Sequence, residues 1–164
     1  NKKDAVDTTG IDEVDFLIRT NKGEALKSLT KTASGGEISR IMLAFKEIFA
    51  DFDNVDTMIF DEIDTGISGR TAQIVGEKIL DLSKRRQVIS ISHLPQIASL
   101  ASNHILISKR DVGDYTISST EKIEEDNRIN EIARLIGGVN ITDITINSAS
   151  EMLTMAEELR NERR

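Results

Sequence analysis

Apolar residues fall along this chain in short groups, and their spacing switches between a period of two and one near 3.6. Asn1–Gly10 is polar and is expected to be loose. Val14, Phe16 and Ile18 alternate within Asp12–Thr20, which predicts a half-buried strand, closed by a turn at Asn21–Gly23. Glu24–Thr32 has no strong period and reads as a loop or a short strand. After Ala33–Glu37, the residues Ile38, Ile41, Met42, Phe45, Ile48 and Phe49 recur at helical spacing. Asp51–Asp56 is an acidic linker without the glycine a calcium loop requires. Met58, Ile59 and Phe60 form a brief apolar run, the mark of a strand buried on both faces. A helix over Arg70–Lys84 places Ala72, Val75, Ile79 and Leu82 inward, and Gln87–Ser92 predicts a second buried strand. Pro95 suits the first turn of a short helix reaching about Ala101. Asn103–Lys109 and Asp114–Thr120 predict a hairpin around Asp111–Asp114. Two more helices follow. Asn127–Ile136 has Ile129, Ile132, Ala133 and Ile136 inward and stops at Gly137-Gly138. Ser148–Arg164 has Met152, Met155, Ala156 and Leu159 on one side. No internal repeat occurs. Strands alternating with helices predict an α/β fold.

At 164 residues the chain is long enough for one domain with a real core. With 38% hydrophobic and 30% charged residues it is expected to be globular. It has no long apolar run and no signal-peptide pattern. Cysteine is absent, which excludes disulfides and thiolate metal sites and is compatible with a cytosolic setting. The net charge of −7 and pI near 4.9 argue against a broad DNA-binding face within this segment, though not against one supplied by another segment or a partner. Lys84-Arg85-Arg86 reads as a solvated helix end, where positive charge suits the helix dipole. The first residue is Asn1, and an excised piece of a longer protein is expected.

Three places carry candidate chemistry. The Met58–Phe60 run ends in Asp61 and Glu62, at the carboxyl end of a strand where ligands of α/β sheets sit. Alternation along a strand would point the two carboxylates to opposite faces, which suits two separate jobs better than a shared proton. The plainer alternative is a strand running into an acidic turn. An apolar run followed by Asp-Glu is also the Walker B pattern, in which the Asp helps hold Mg²⁺ and the Glu orients or deprotonates water. At Ala33–Glu37, ASGGE, Ser34 and Glu37 fit a capping box. A capped helix with nothing bound would satisfy that pattern, but it leaves Gly35-Gly36 unexplained, because glycine weakens a helix start. Bare N–H groups beside a Ser hydroxyl suit an anion, phosphate first among them. The third place is Ser92-His93, again at a strand end; His104 has no such setting and is given no role.

Taken in order, these motifs resemble the C-terminal half of an ABC-type ATPase head. ASGGE at Ala33–Glu37 resembles the signature motif and TMIFDE at Thr57–Glu62 resembles Walker B. Asp64–Ser68 resembles the D-loop and His93 the switch histidine. Ile63 stands where transporter ATPases usually carry Pro. That favours the SMC-like branch, and DEIDTGISGRTAQ, ISHLPQIA and ARLIGG are similar to a bacterial DNA-repair member of it. The resemblance implies an incomplete P-loop NTPase fold, with residues 1–164 forming the C-terminal portion of the head. No G-x-x-x-x-G-K-[ST] phosphate loop occurs, so the fragment alone is expected to be inactive. That loop would lie in an N-terminal half beyond a long coiled coil, and part of the sheet here would stay open to pairing. The implied cofactors are ATP and Mg²⁺. Asp61 would be a metal ligand, Glu62 the catalytic base and His93 a γ-phosphate contact. Ser34, Gly35, Gly36 and Glu37 would face the nucleotide of a second protomer, and Asp64 and Ser68 would couple the two sites. The implied partners are the N-terminal half, a second protomer and, through the complete protein, DNA. The setting would be the bacterial cytoplasm and nucleoid, and the biological role recombinational repair of double-strand breaks. The head of another SMC-like or RecF-like protein, or a non-hydrolysing dimerisation module, are the alternatives.

Overall fold

The computed structural model describes residues 2–8, 10–12, 14–19, 22–29, 34–49 and 54–163. Its centre is a parallel pair, β5 (Thr57–Phe60) and β6 (Gln87–Ser90), in register from Thr57↔Gln87 to Phe60↔Ser90. Gln87 N–H donates to Asp56 O and Ile91 N–H to Phe60 O, both at 2.9 Å, which extends the pairing past each end. A parallel pair needs a crossover. Helix α2 (Gly69–Ser83) provides it, with Ala72, Val75, Gly76, Leu80 and Leu82 buried as its apolar period predicts.

Helices α1 (Gly35–Ile48), α2 and α3 (Pro95–Ala98) build the main core on one face of β5. Leu43, Met58, Phe60, Ile63, Val75, Leu82 and Ile97 meet there. The expectation of strands buried on both faces is corrected. Ile59 points to the opposite side of the pleat and is 67% exposed; Ile89 and Ile91 are exposed as well. No described helix covers that second face. The inner side of α1 is also not the one its spacing suggested. Gly36 and Leu43 are buried, whereas Ile38, Met42, Phe45, Ile48 and Phe49 are exposed. Phe16 meets Phe45 edge-on at 6.1 Å and Phe45 stacks on Phe49 at 6.3 Å, a cluster on the outside of the helix.

Helices α4 (Glu125–Gly137) and α5 (Asp143–Glu162) form a second layer. Ile132, Ala133 and Ala149 are buried between them, and Leu80, Leu100 and Ala156 tie that layer to α2. Helix α5 starts before the predicted Ser148. Thr142 and Thr145 form a capping box that an apolar count does not see, and of the predicted inner residues Met155 is exposed. Ile136 at the end of α4 is also exposed. Strands β7 (His104–Val112) and β8 (Tyr115–Ile123) make the expected hairpin, closed tightly by Gly113-Asp114, with Gly113 at φ 62°.

The N-terminal expectation is corrected too. β1 (Lys2–Asp7) pairs with β2 (Gly10–Asp12), where a loose segment was expected, and β3 (Leu17–Ile18) pairs with β4 (Lys27–Ser28). Asp12–Thr20 is therefore not one strand, and Val14 and Phe16 are exposed: alternation buries a face only where another layer covers it. Glu13, Thr20, Asn21, Ala33 and Asp51–Asp53, which also carried expectations, lie outside the described residues. No helix among the described residues is long and apolar enough to cross a membrane.

Candidate functional site

The predicted site residues gather around the loop that leaves β5. Asp61 and Glu62 lie just past the last paired strand residue, Phe60. Asp61 Oδ1 accepts a 2.8 Å bond from Glu62 N–H. Glu62 has φ 56°, a left-handed conformation that costs a non-glycine residue about 1–3 kcal/mol. The chain has left the pleat here, so the alternation argument for opposite-facing carboxylates does not reach them. Both residues are exposed. Ile63 then turns inward and is fully buried, anchoring the loop to the core. Thr65 N–H closes the turn on Glu62 O at 3.0 Å, and Gly66, at φ 74°, lets the chain reverse.

Helix α1 arrives at this loop through its N-terminus. Ser34 is the N-cap, and the predicted capping box is present. Glu37 Oε2 accepts from Ser34 N–H at 2.9 Å, and Ser34 Oγ accepts from Glu37 N–H at 3.4 Å. The Ser34 backbone N–H, and then its hydroxyl, hold the Glu37 carboxyl below its ordinary range. The two glycines have a local reason as well. A Cβ on Gly36 would stand 2.9 Å from Thr65 Cβ and O and 3.0 Å from Glu62 O. One on Gly35 would stand 2.6 Å from Glu62 Oε2. The close approach that the sequence suggested for an anion is thus already made by the chain's own loop. Gly36 is buried by it, while Ser34 and Gly35 remain exposed.

Asp64 is where the loop meets β6. Its side chain is 4% exposed, and Oδ2 accepts from Ser92 Oγ at 2.7 Å and from His93 N–H at 2.8 Å. The same oxygen lies 2.9 Å from His93 Nδ1. Sequence reasoning placed Asp64 in the D-loop and missed this orienting contact; no spacing rule links residues so far apart in the chain. The contact fixes the ring through Nδ1 and leaves Nε2 outward on a side chain 74% exposed. With Nδ1–H given to Asp64, Nε2 of a neutral ring is an acceptor. It becomes a donor to an anion when the ring carries both protons. Ser68 is exposed and stands at the N-cap of α2 without a side-chain cap bond.

The structure therefore joins Gly35 to Glu62 and Asp64 to His93 around one loop. Among the described residues, no group of three or more His, Asp or Glu could hold a metal unaided. Asp61 fits a different arrangement. One carboxylate oxygen is engaged by Glu62 N–H, and the other suits a hydrogen bond from a water in the shell of a magnesium ion.

No protein-family model matches the chain. Curated relatives do. It is 48% identical over 151 residues to the DNA repair protein RecN of Halalkalibacterium halodurans, covering 92% of this chain and 27% of that protein. The RecN of Bacillus subtilis gives 48% over 151 residues, covering 92% and 26%, and that of Vibrio cholerae 41% over 147, covering 90% and 26%. The chain thus spans about a quarter of the length of these relatives. The fold is similar, with a TM-score of 0.52 at 23% identity, to a chain solved in a study of ATP-driven dimerization and DNA-stimulated activation of SMC ATPases. That likeness covers 72% of this chain and 70% of the other. By sequence, over some nine tenths of its residues, the chain is RecN-like.

Proposed function

We propose that this chain is the C-terminal half of an SMC-like ATPase head, which hydrolyses ATP between two protomers in the service of DNA double-strand break repair. The observation that carries the reading is the loop Asp61–Ser68. It holds two exposed carboxylates, orients a histidine through a buried aspartate, and packs against a glycine-bared helix tip. Phosphoryl transfer needs positioned charges more than covalent chemistry, and these are parts of that kind.

In this reading Asp61 is a ligand of magnesium, through water. The metal, when bound, offsets phosphate charge. Glu62 takes a proton from the attacking water. His93, held at Nδ1 by Asp64, offers Nε2–H to a terminal phosphate oxygen when its ring carries both protons. Ser34 and Gly35, exposed at the tip of α1, receive the phosphate of a nucleotide carried by a second protomer, with Glu37 keeping the cap in shape. Asp64–Ser68 links the two sites, with Asp64 on His93 and Thr65 against Gly36 at the start of α1. The phosphate loop belongs to the N-terminal half, which also covers the face bearing Ile59, Ile89 and Ile91. Three exposed isoleucines on a parallel pair support such a cover, because parallel sheets are normally buried on both sides. DNA engagement belongs to the complete protein, which works in the bacterial cytoplasm at the nucleoid. The chain alone does not turn over ATP.

Glu62→Gln in the complete protein tests this. The variant should bind ATP at near-normal affinity, lose hydrolysis by about 10²-fold or more, and accumulate ATP-bound dimers on a sizing column. Normal turnover would remove Glu62 from the base role, and with it the reading.

A further inference from the structure

The loop that carries Asp61, Glu62 and Asp64 has every backbone carbonyl from Phe60 to Thr65 engaged. Phe60 O accepts from Ile91 N–H, Glu62 O from Thr65 N–H and Asp64 O from Ile67 N–H. The other three are served from helix α1. Ser39 Oγ donates to Asp61 O at 3.0 Å. Arg40 Nη1 donates to Ile63 O at 3.2 Å and to Thr65 O at 2.8 Å. Gly36 presses on the same loop one helical turn earlier, so positions 36, 39, 40 and 43 form a single face at helical spacing, with Leu43 entering the core.

We infer that Arg40 is a positioning residue for the ATPase reaction, a tie by which helix α1 sets the conformation of the catalytic loop. Its two acceptors flank Asp64, which orients His93, and the first of them follows Glu62 directly. Glu62 holds a left-handed backbone, and such a conformation persists only where neighbouring contacts over-determine it. A charged donor bonded to carbonyls on both sides of the Asp64 turn is such a contact. One rigid helix then serves both nucleotides. Its tip faces the partner's phosphate, and its second turn grips the residues that act on its own.

The inference rests on the proposed function, and the experiment separates the two. In the complete protein, Arg40→Ala should lower kcat roughly ten- to hundredfold, the scale of a small misplacement of reacting groups. KM for ATP and the affinity for a fluorescent ATP analogue should stay within about twofold, because the phosphate cradle is untouched. Arg40→Lys keeps a donor on a stem one atom shorter and should recover part of the loss. Unchanged kcat in Arg40→Ala, or a loss matched by an equal loss of folded protein, would overturn the role. If Arg40→Ala does not fold, Arg40→Lys decides: reduced kcat with ATP affinity kept supports the tie, and parental kcat refutes it. Glu62→Gln is run alongside. Normal hydrolysis there sinks the ATPase reading itself, whereas a dead Glu62→Gln beside normal Arg40 variants sinks only the role of Arg40.

Discussion

Asp64 gathers Ser92 Oγ, His93 N–H and His93 Nδ1 on one buried oxygen, and this sets the tautomer of an exposed ring. Replacing it by Ala leaves the ring without its Nδ1 acceptor. Nitrogen-15 NMR of His93 should then show a loss of the Nδ1–H form, and kcat of the complete protein should fall roughly ten- to hundredfold, less than deleting a phosphate donor outright. An unchanged tautomer ratio would take Asp64 out of that role. Asp61, Glu62 and His93 could be picked out from the sequence because polar residues at the ends of apolar runs are conspicuous. The orienting contact of Asp64 could not, since it exists only once β5 and β6 lie side by side.

Helix α1 and the loop behave as one element pair, joined with almost no space between them. Gly36→Ala would drive a Cβ to within 3.0 Å of Thr65 and the Glu62 carbonyl, which are backbone or short side-chain atoms with little room to yield. It should destabilise the chain by about 1–3 kcal/mol, as overpacking does, read by urea unfolding; a neutral substitution would mean the loop moves freely. The elements between Thr57 and Ala98 were legible because each sends apolar residues into the core, the two strands from one face only. Those before Ala33 were less so. Val14 and Phe16 alternate correctly, but both stay exposed, Phe16 meeting only the outside of α1 at Phe45, and a period of two then says nothing about pairing. The stripe chosen for α1 failed for a related reason: its inner face uses Gly, Ser and Arg to grip backbone, and an apolar count overlooks all three.

At the scale of the whole molecule, the proposed function gives this chain one side of a nucleotide site, and no described helix covers the second face of its sheet. The chain should therefore not bind MgATP with micromolar affinity by calorimetry, whereas mixing it with the N-terminal half should restore binding; tight binding by the chain alone would contradict the split-head architecture. Asp64 bears on how two such heads could sense each other. It is sealed inside, with three protons already directed at it, and has no surface to show a neighbour. Only Thr65, Gly66 and Ser68 of that loop stand outside beyond it. Word of a second copy would then reach His93 mechanically, as a displacement of the peptide chain that carries Asp64, and not by touch.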